Sequence, residues 1–189
     1  MSSFRLPVLA SLAWIALCWG AGQARAGDFE DCAGPLGEKT EAACAAILSD
    51  EQRSAEDRVK AYINRSRFST GRGKFDAATA DAEAALALNP KSAWAFVARA
   101  YARQRSGKLD AALVDYNRAV ELEPKNPQIL SSRAFLRAEQ KAWTEALADF
   151  DEATAQRQDY AEAYVGRGRV HAETGQLDQP WASSMPRLR

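Results

Sequence analysis

Four arginines stand 34 residues apart, at Arg65, Arg99, Arg133 and Arg167. Three aspartates keep the same spacing at Asp81, Asp115 and Asp149, and so do two alanine series, Ala78, Ala112, Ala146 and Ala85, Ala119, Ala153. A period of 34 residues is too long for a heptad coil and fits one helix–turn–helix unit, whose apolar face stays open until a neighbouring unit covers it. The repeat therefore predicts an all-α chain built as a stack.

Alignment of the segments that begin at Val59, Ala93, Pro127 and Ala161 shows what each position does. The fourth position is large (Tyr62, Phe96, Leu130, Tyr164) and the eighth is small (Ser66, Ala100, Ala134, Gly168), a spacing that puts both on one helical face. Gly73, Gly107 and Gly175 supply a residue tolerant of positive φ after the first helix, with Lys141 departing from the pattern. Asp76, Asp110, Thr144 and Asp178 are expected to cap the second helix, each preceded by a large apolar residue, Phe75, Leu109, Trp143 or Leu177. Ala78, Ala112 and Ala146 mark the contact between the two helices. Pro90 and Pro124 close the first two units, and Gln158 stands at that place in the third. Ala82 is smaller than Tyr116 and Phe150 at the matching position, which predicts looser packing in the first unit.

These positions resemble the tetratricopeptide repeat (TPR) family over about residues 59 to 178, in an exported bacterial form. The resemblance implies a tetratricopeptide-repeat solenoid, antiparallel helix pairs in a right-handed superhelix, whose concave face binds a peptide segment of another protein without catalysis. It divides the chain into three repeats over 57–158 and the first helix of an incomplete fourth repeat over 159–178, a C-terminal cap. It also places the second, fifth, ninth, twelfth and thirteenth positions of each first helix in the groove. Carried onto this chain, the expected peptide-binding residues are Ile63, Arg67, Trp94, Val97, Tyr101, Arg105 and Phe135, flanked by Lys60, Thr70, Gln104, Gln128, Ser131, Glu139, Glu162, Val165 and Arg169. Aromatic rings beside arginines are the composition that binding hot spots favour. The competing reading has the N-terminal segment packing over these side chains as a lid. The lysine–asparagine–arginine carboxylate clamp of chaperone-binding members is not repeated here, since Asn64 is followed at the matching positions by Ala98, Ser132 and Gly166.

The arginine and aspartate series lie sixteen residues apart within each unit, on helices that a tight turn makes antiparallel. A charge ladder between the helices is the first reading, and an anion-binding arginine stripe is the second.

The two ends depart from the repeat. Arg5, the apolar stretch Leu6 to Trp19 and Ala24-Arg25-Ala26 read as a signal peptide over 1–26 cleaved after Ala26, which implies a periplasmic or secreted protein. A lipoprotein signal acylated at Cys18 is the rival, opposed by the bulky Leu17 before it. Cleavage would leave Cys32 and Cys44 as an even pair in an oxidising compartment, where a disulfide is the expected state. A thiol redox centre or metal site is the alternative, without a C-x-x-C or a neighbouring histidine to support it. Residues 38–49 read as one amphipathic helix within an N-terminal capping segment, 27–56. At the far end Pro180 replaces the recurring alanine, and 179–189 shows no helical apolar period and reads as a disordered tail.

Composition removes other classes. The 189 residues carry 25 bases and 25 acids, so the field lacks the basic stripe of a nucleic-acid binder. With a single histidine, His171, and no phosphate loop, nucleophile motif or metal-ligand spacing, no cofactor and no enzyme activity are expected. The sequence reads as an exported adaptor for another protein or peptide segment, with no nucleic acid and no membrane span in the mature chain. The alternative is a structural self-assembling module of the cell envelope, a homodimer through the C-terminal end.

Overall fold

The computed structural model describes residues 26–34 and 37–176. Among these there are nine helices and no strand: α1 (Ala26–Ala33), α2 (Glu38–Ser49), α3 (Ala55–Gly71), α4 (Phe75–Leu88), α5 (Ala93–Arg105), α6 (Leu109–Leu122), α7 (Pro127–Glu139), α8 (Trp143–Gln156) and α9 (Ala161–Glu173). The pairs α3/α4, α5/α6 and α7/α8 are the repeats, and each packs on the next. The starts of α5, α7 and α9 keep the sequence period, as do those of α4, α6 and α8. The period thus survives into the backbone.

The first helices carry the caps. Ser54, Ser92 and Asn126 each accept a hydrogen bond from a backbone N–H in the first turn, at 3.0 Å from Asp57 N, 3.3 Å from Ala95 N and 3.0 Å from Gln128 N. The second helices differ from expectation. Their N-caps are Lys74, Lys108 and Ala142, none with a side-chain cap bond, and Phe75, Leu109 and Trp143 are already helical. Asp76 and Asp110 lie in the first turn, where their charge faces the free N–H groups of the helix without capping them. The preceding turn folds too tightly to leave an extended residue at the expected cap. Asp178 and Leu177 lie outside the described residues.

That turn is the same in every unit. Gly73, Gly107 and Gly175 have φ of 75°, 80° and 72°, and Lys141 adopts φ 61°. Ala142 N donates to Arg137 O at 2.8 Å, as Lys108 N donates to Arg103 O at 2.9 Å one unit earlier. The hydrogen-bond closure enforces the left-handed residue whether or not it is glycine. The exits behave likewise: α8 ends in register without a proline, and Tyr160 N donates to Arg157 O at 3.1 Å just as Ser92 N donates to Asn89 O at 3.1 Å.

Small residues set the approach of the paired helices. Ser66, Ala100 and Ala134 are fully buried against the turn that holds Ala78, Ala112 and Ala146, and the Ser66 hydroxyl donates to Ala78 O at 2.7 Å. Tyr116 and Phe150 fill the space behind, each almost wholly buried, and Ala82 at the matching place is fully buried as well. Burial pushes the Tyr116 phenol well above its ordinary pKa.

The ladder between the helices is made of bidentate ion pairs. Arg65 meets Asp81 at 2.9 and 2.6 Å, Arg99 meets Asp115 at 3.0 and 2.7 Å, and Arg133 meets Asp149 at 2.9 and 2.7 Å. Hydrogen bonds to Asp81 and Asp115 hold the Arg65 and Arg99 guanidinium groups above their usual pKa, against the opposing effect of burial. A second arginine one turn on, Arg103 or Arg137, joins the same carboxylate at 2.7 Å in the second and third units. The first arginine also reaches back into the preceding unit: Arg99 to Glu83 at 3.7 Å, Arg133 to Asn117 at 3.1 Å and Arg167 to Asp151 at 3.1 Å. One guanidinium therefore ties two units together.

At the N-terminal end α1 and α2 form a short hairpin that packs on α3. The Cys32 and Cys44 sulfurs are 2.13 Å apart with Cα atoms 4.9 Å apart, joining the two helices over a small core that includes Ile47 and Ala61. Arg53 lies 4.9 Å above the Phe29 ring and pairs with Asp50 at 3.2 Å, fixing α1 from outside. No described helix is long and apolar enough to cross a membrane.

Candidate functional site

The first helices α3, α5 and α7 line one side of the stack, and two hollows open there. The larger, about 810 Å³, lies between α1 and α3 and reaches α5, with Phe29, Val59, Ile63, Leu88 and Trp94 on its walls. The smaller, about 330 Å³, continues along α5 past Val97 and Tyr101 to Tyr160 and Glu162. Arg67, Trp94 and Gln128 belong to both, so the two form one groove.

Five of the seven expected residues meet in this groove: Ile63, Arg67, Trp94, Val97 and Tyr101. Two do not. Arg105 sits at the exposed end of α5, where it donates to the Tyr101 hydroxyl at 3.0 Å and covers that ring from 5.8 Å. Phe135 turns inward, its ring edge-on to Phe150 with centroids 5.0 Å apart at 75°, and borders a separate hollow of about 390 Å³ with Trp143 and Arg169. Of the flanking positions, Thr70 and Ser131 are buried, the Thr70 hydroxyl donating to Ser66 O at 2.9 Å. A hydroxyl that bonds back into its own helix offers nothing to a ligand.

The charges in the groove are unequal in what they leave available. Lys60 is engaged by Glu56 at 2.6 Å, and Glu162 accepts from the Tyr160 hydroxyl. Arg67 is exposed and makes no ion pair among the described residues. An uncommitted guanidinium flanked by an indole and aliphatic side chains can take a carboxylate or a backbone carbonyl while the rings take an apolar side chain.

Two contributors escaped the sequence reading. Phe29 comes from α1, an eight-residue helix too short to show a period, and Tyr160 comes from the loop before α9. No group of described residues has the make-up of a metal site.

Residues 105–141 match the family model of the TPR repeat. Among solved structures, MamA superposes with a TM-score of 0.62 at 16% identity, covering 82% of this chain and 87% of that one. A thermophilic TPR protein of Thermus thermophilus superposes with a TM-score of 0.63 at 16% identity over 74% and 75% of the two chains. PilF of Pseudomonas aeruginosa reaches 0.61 at 23% identity over 66% of this chain and 57% of its own. Among curated proteins, none matches the sequence. At these identities the likeness is one of fold.

Proposed function

We propose that this tetratricopeptide-repeat protein is an exported adaptor that holds a segment of another polypeptide in the groove of its first helices. The observation that carries the reading is the joined hollow around Trp94, where Ile63, Val97 and Tyr101 leave an apolar wall beside the uncommitted Arg67. Apolar walls of this kind bind by burying an anchor side chain, and the guanidinium fixes the direction of the chain. Phe29 extends the wall, which supports reading the N-terminal hairpin as part of the groove. No catalysis is assigned to it.

The export part of the reading rests on the N-terminal sequence and the paired cysteines. It requires a mature N-terminus at Gly27 in the envelope fraction, read by mass spectrometry. A photo-crosslinking residue at Trp94, introduced in the native cell, should capture a partner polypeptide. Trp94→Ala and Tyr101→Ala should each weaken that partner by about 1 to 3 kcal/mol with helicity unchanged. Loss of helicity in either variant would assign these rings to the core instead.

A further inference from the structure

The joined groove keeps two opposite charges apart. Its lining holds four charged side chains, Glu56, Lys60, Arg67 and Glu162. Glu56 and Lys60 pair with each other at 2.6 Å and leave no net charge behind. Arg67, from α3, and Glu162, from α9, line the same hollow of about 330 Å³, to which α5 adds Trp94, Val97 and Tyr101. Neither makes an ion pair, with the other or with any other described residue. A cation and an anion thus share one largely apolar hollow without meeting.

Both charges are free to take a partner. Arg67 is exposed, and its guanidinium donors are uncommitted among the described residues. Glu162 is exposed as well and accepts a hydrogen bond from the Tyr160 hydroxyl. Burial, and after it this hydrogen bond, pushes the Tyr160 phenol well above its ordinary pKa, so the proton stays on the phenol and the carboxylate keeps its charge. One phenol fills only part of a carboxylate's acceptor capacity. Arg157 is committed elsewhere, over the Tyr160 ring at 4.2 Å and beside Asp159 at 3.9 Å.

We infer that the partner segment in this groove carries an acidic and a basic residue on either side of an apolar stretch, the acid meeting Arg67 and the base meeting Glu162. This deepens the groove reading given above and rests on it. An apolar wall alone accepts any apolar side chain. A neutral segment laid over Arg67 and Glu162 would strip water from both charges and return nothing, which selects against it, whereas a segment with both charges satisfies each.

The test uses the purified protein and four dye-labelled, end-blocked peptides that share an apolar centre of two to four residues. Flanking that centre they carry an acid and a base, an acid alone, a base alone, or no charge. Fluorescence anisotropy should rank the first tightest, with a loss of about threefold for each charge removed. Arg67→Gln should erase the advantage of the acid and keep that of the base. Glu162→Gln, which still offers Tyr160 an acceptor, should do the reverse. Trp94→Ala should weaken all four. Peptides that bind alike and all depend on Trp94 overturn the inference and leave the groove reading standing, whereas binding that ignores Trp94 removes both. No binding by any peptide overturns the inference and leaves the groove reading to crosslinking at Trp94. A dimer by light scattering that Arg67→Gln dissociates would make a second copy the occupant, and tighter peptide binding after deletion of residues 177–189 would make it the chain's own tail. Either result overturns the inference.

Discussion

Gly166 of α9 faces the ring of Phe150 of α8 so closely that a Cβ on Gly166 would fall inside the ring's van der Waals envelope. Phe150 is fully buried. The preceding unit has Ser132 at the matching position, so the demand for glycine is specific to this junction. Gly166→Ala should destabilise the protein by about 1 to 3 kcal/mol, as overpacking does. Urea unfolding measures it, and an unchanged midpoint would mean that the ring has room to rotate away.

Asp115 is the most buried aspartate of the ladder, with 2% of its side chain exposed and two guanidinium groups upon it. Removing a buried carboxylate leaves its partners uncompensated, so Asp115→Ala should cost about 3 to 5 kcal/mol. Asp81→Ala should cost less, because Asp81 is more exposed and holds Arg65 alone. Equal losses in chemical denaturation would show that the second arginine contributes nothing.

Lys141 is the one described non-glycine residue at positive φ. The left-handed backbone strains a side chain by about 1 to 2 kcal/mol, and glycine returns part of that through its larger unfolded-state entropy. Lys141→Gly should therefore raise stability by up to about 1 kcal/mol, visible as a higher melting temperature. A lower melting temperature would show that the lysine side chain makes a compensating contact.

Cys32 and Cys44 close a short loop that fixes α1 beside the groove. Thiol titration of unfolded, unreduced protein should find neither sulfur free. Reduction should loosen α1 and weaken partner capture at Trp94 while α3 to α9 keep their helicity, because they pack on one another and not through α1. Two free thiols in protein isolated from the envelope would remove the bridge from the functional form.

The period made most of this legible. The arginine–aspartate offset of sixteen predicted a pairing that the structure realises three times within units, and the small eighth position predicted the helix contact at Ser66, Ala100 and Ala134. The second-helix caps were misplaced because Asp76 and Asp110 resemble caps in composition, while the turn geometry puts the boundary two residues earlier, at Lys74 and Lys108. Repeat position alone brought Ile63, Arg67, Trp94, Val97 and Tyr101 to the same pair of joined hollows. Phe135 borders a separate hollow instead, with its ring edge-on to Phe150 of the neighbouring helix, an orientation that no single-position rule contains. Phe29 was invisible for a different reason, coming from a helix with too few residues to repeat anything.

The backward reach of Arg99, Arg133 and Arg167 gives the array a particular kind of cooperativity. In a linear stack, the free energy of a unit and its coupling to the next are separate quantities, and weak coupling lets ends fray while the middle persists. At Arg99 and Arg133 one guanidinium belongs to both, bound to an aspartate of its own unit and to a residue of the unit before. Melting a unit strips a contact from its neighbour in the same event, so a boundary between folded and unfolded units is costly. The paired units are thereby driven toward a single transition, and α9, whose packing among the described helices is on α7 and α8, is left as the place where unfolding begins.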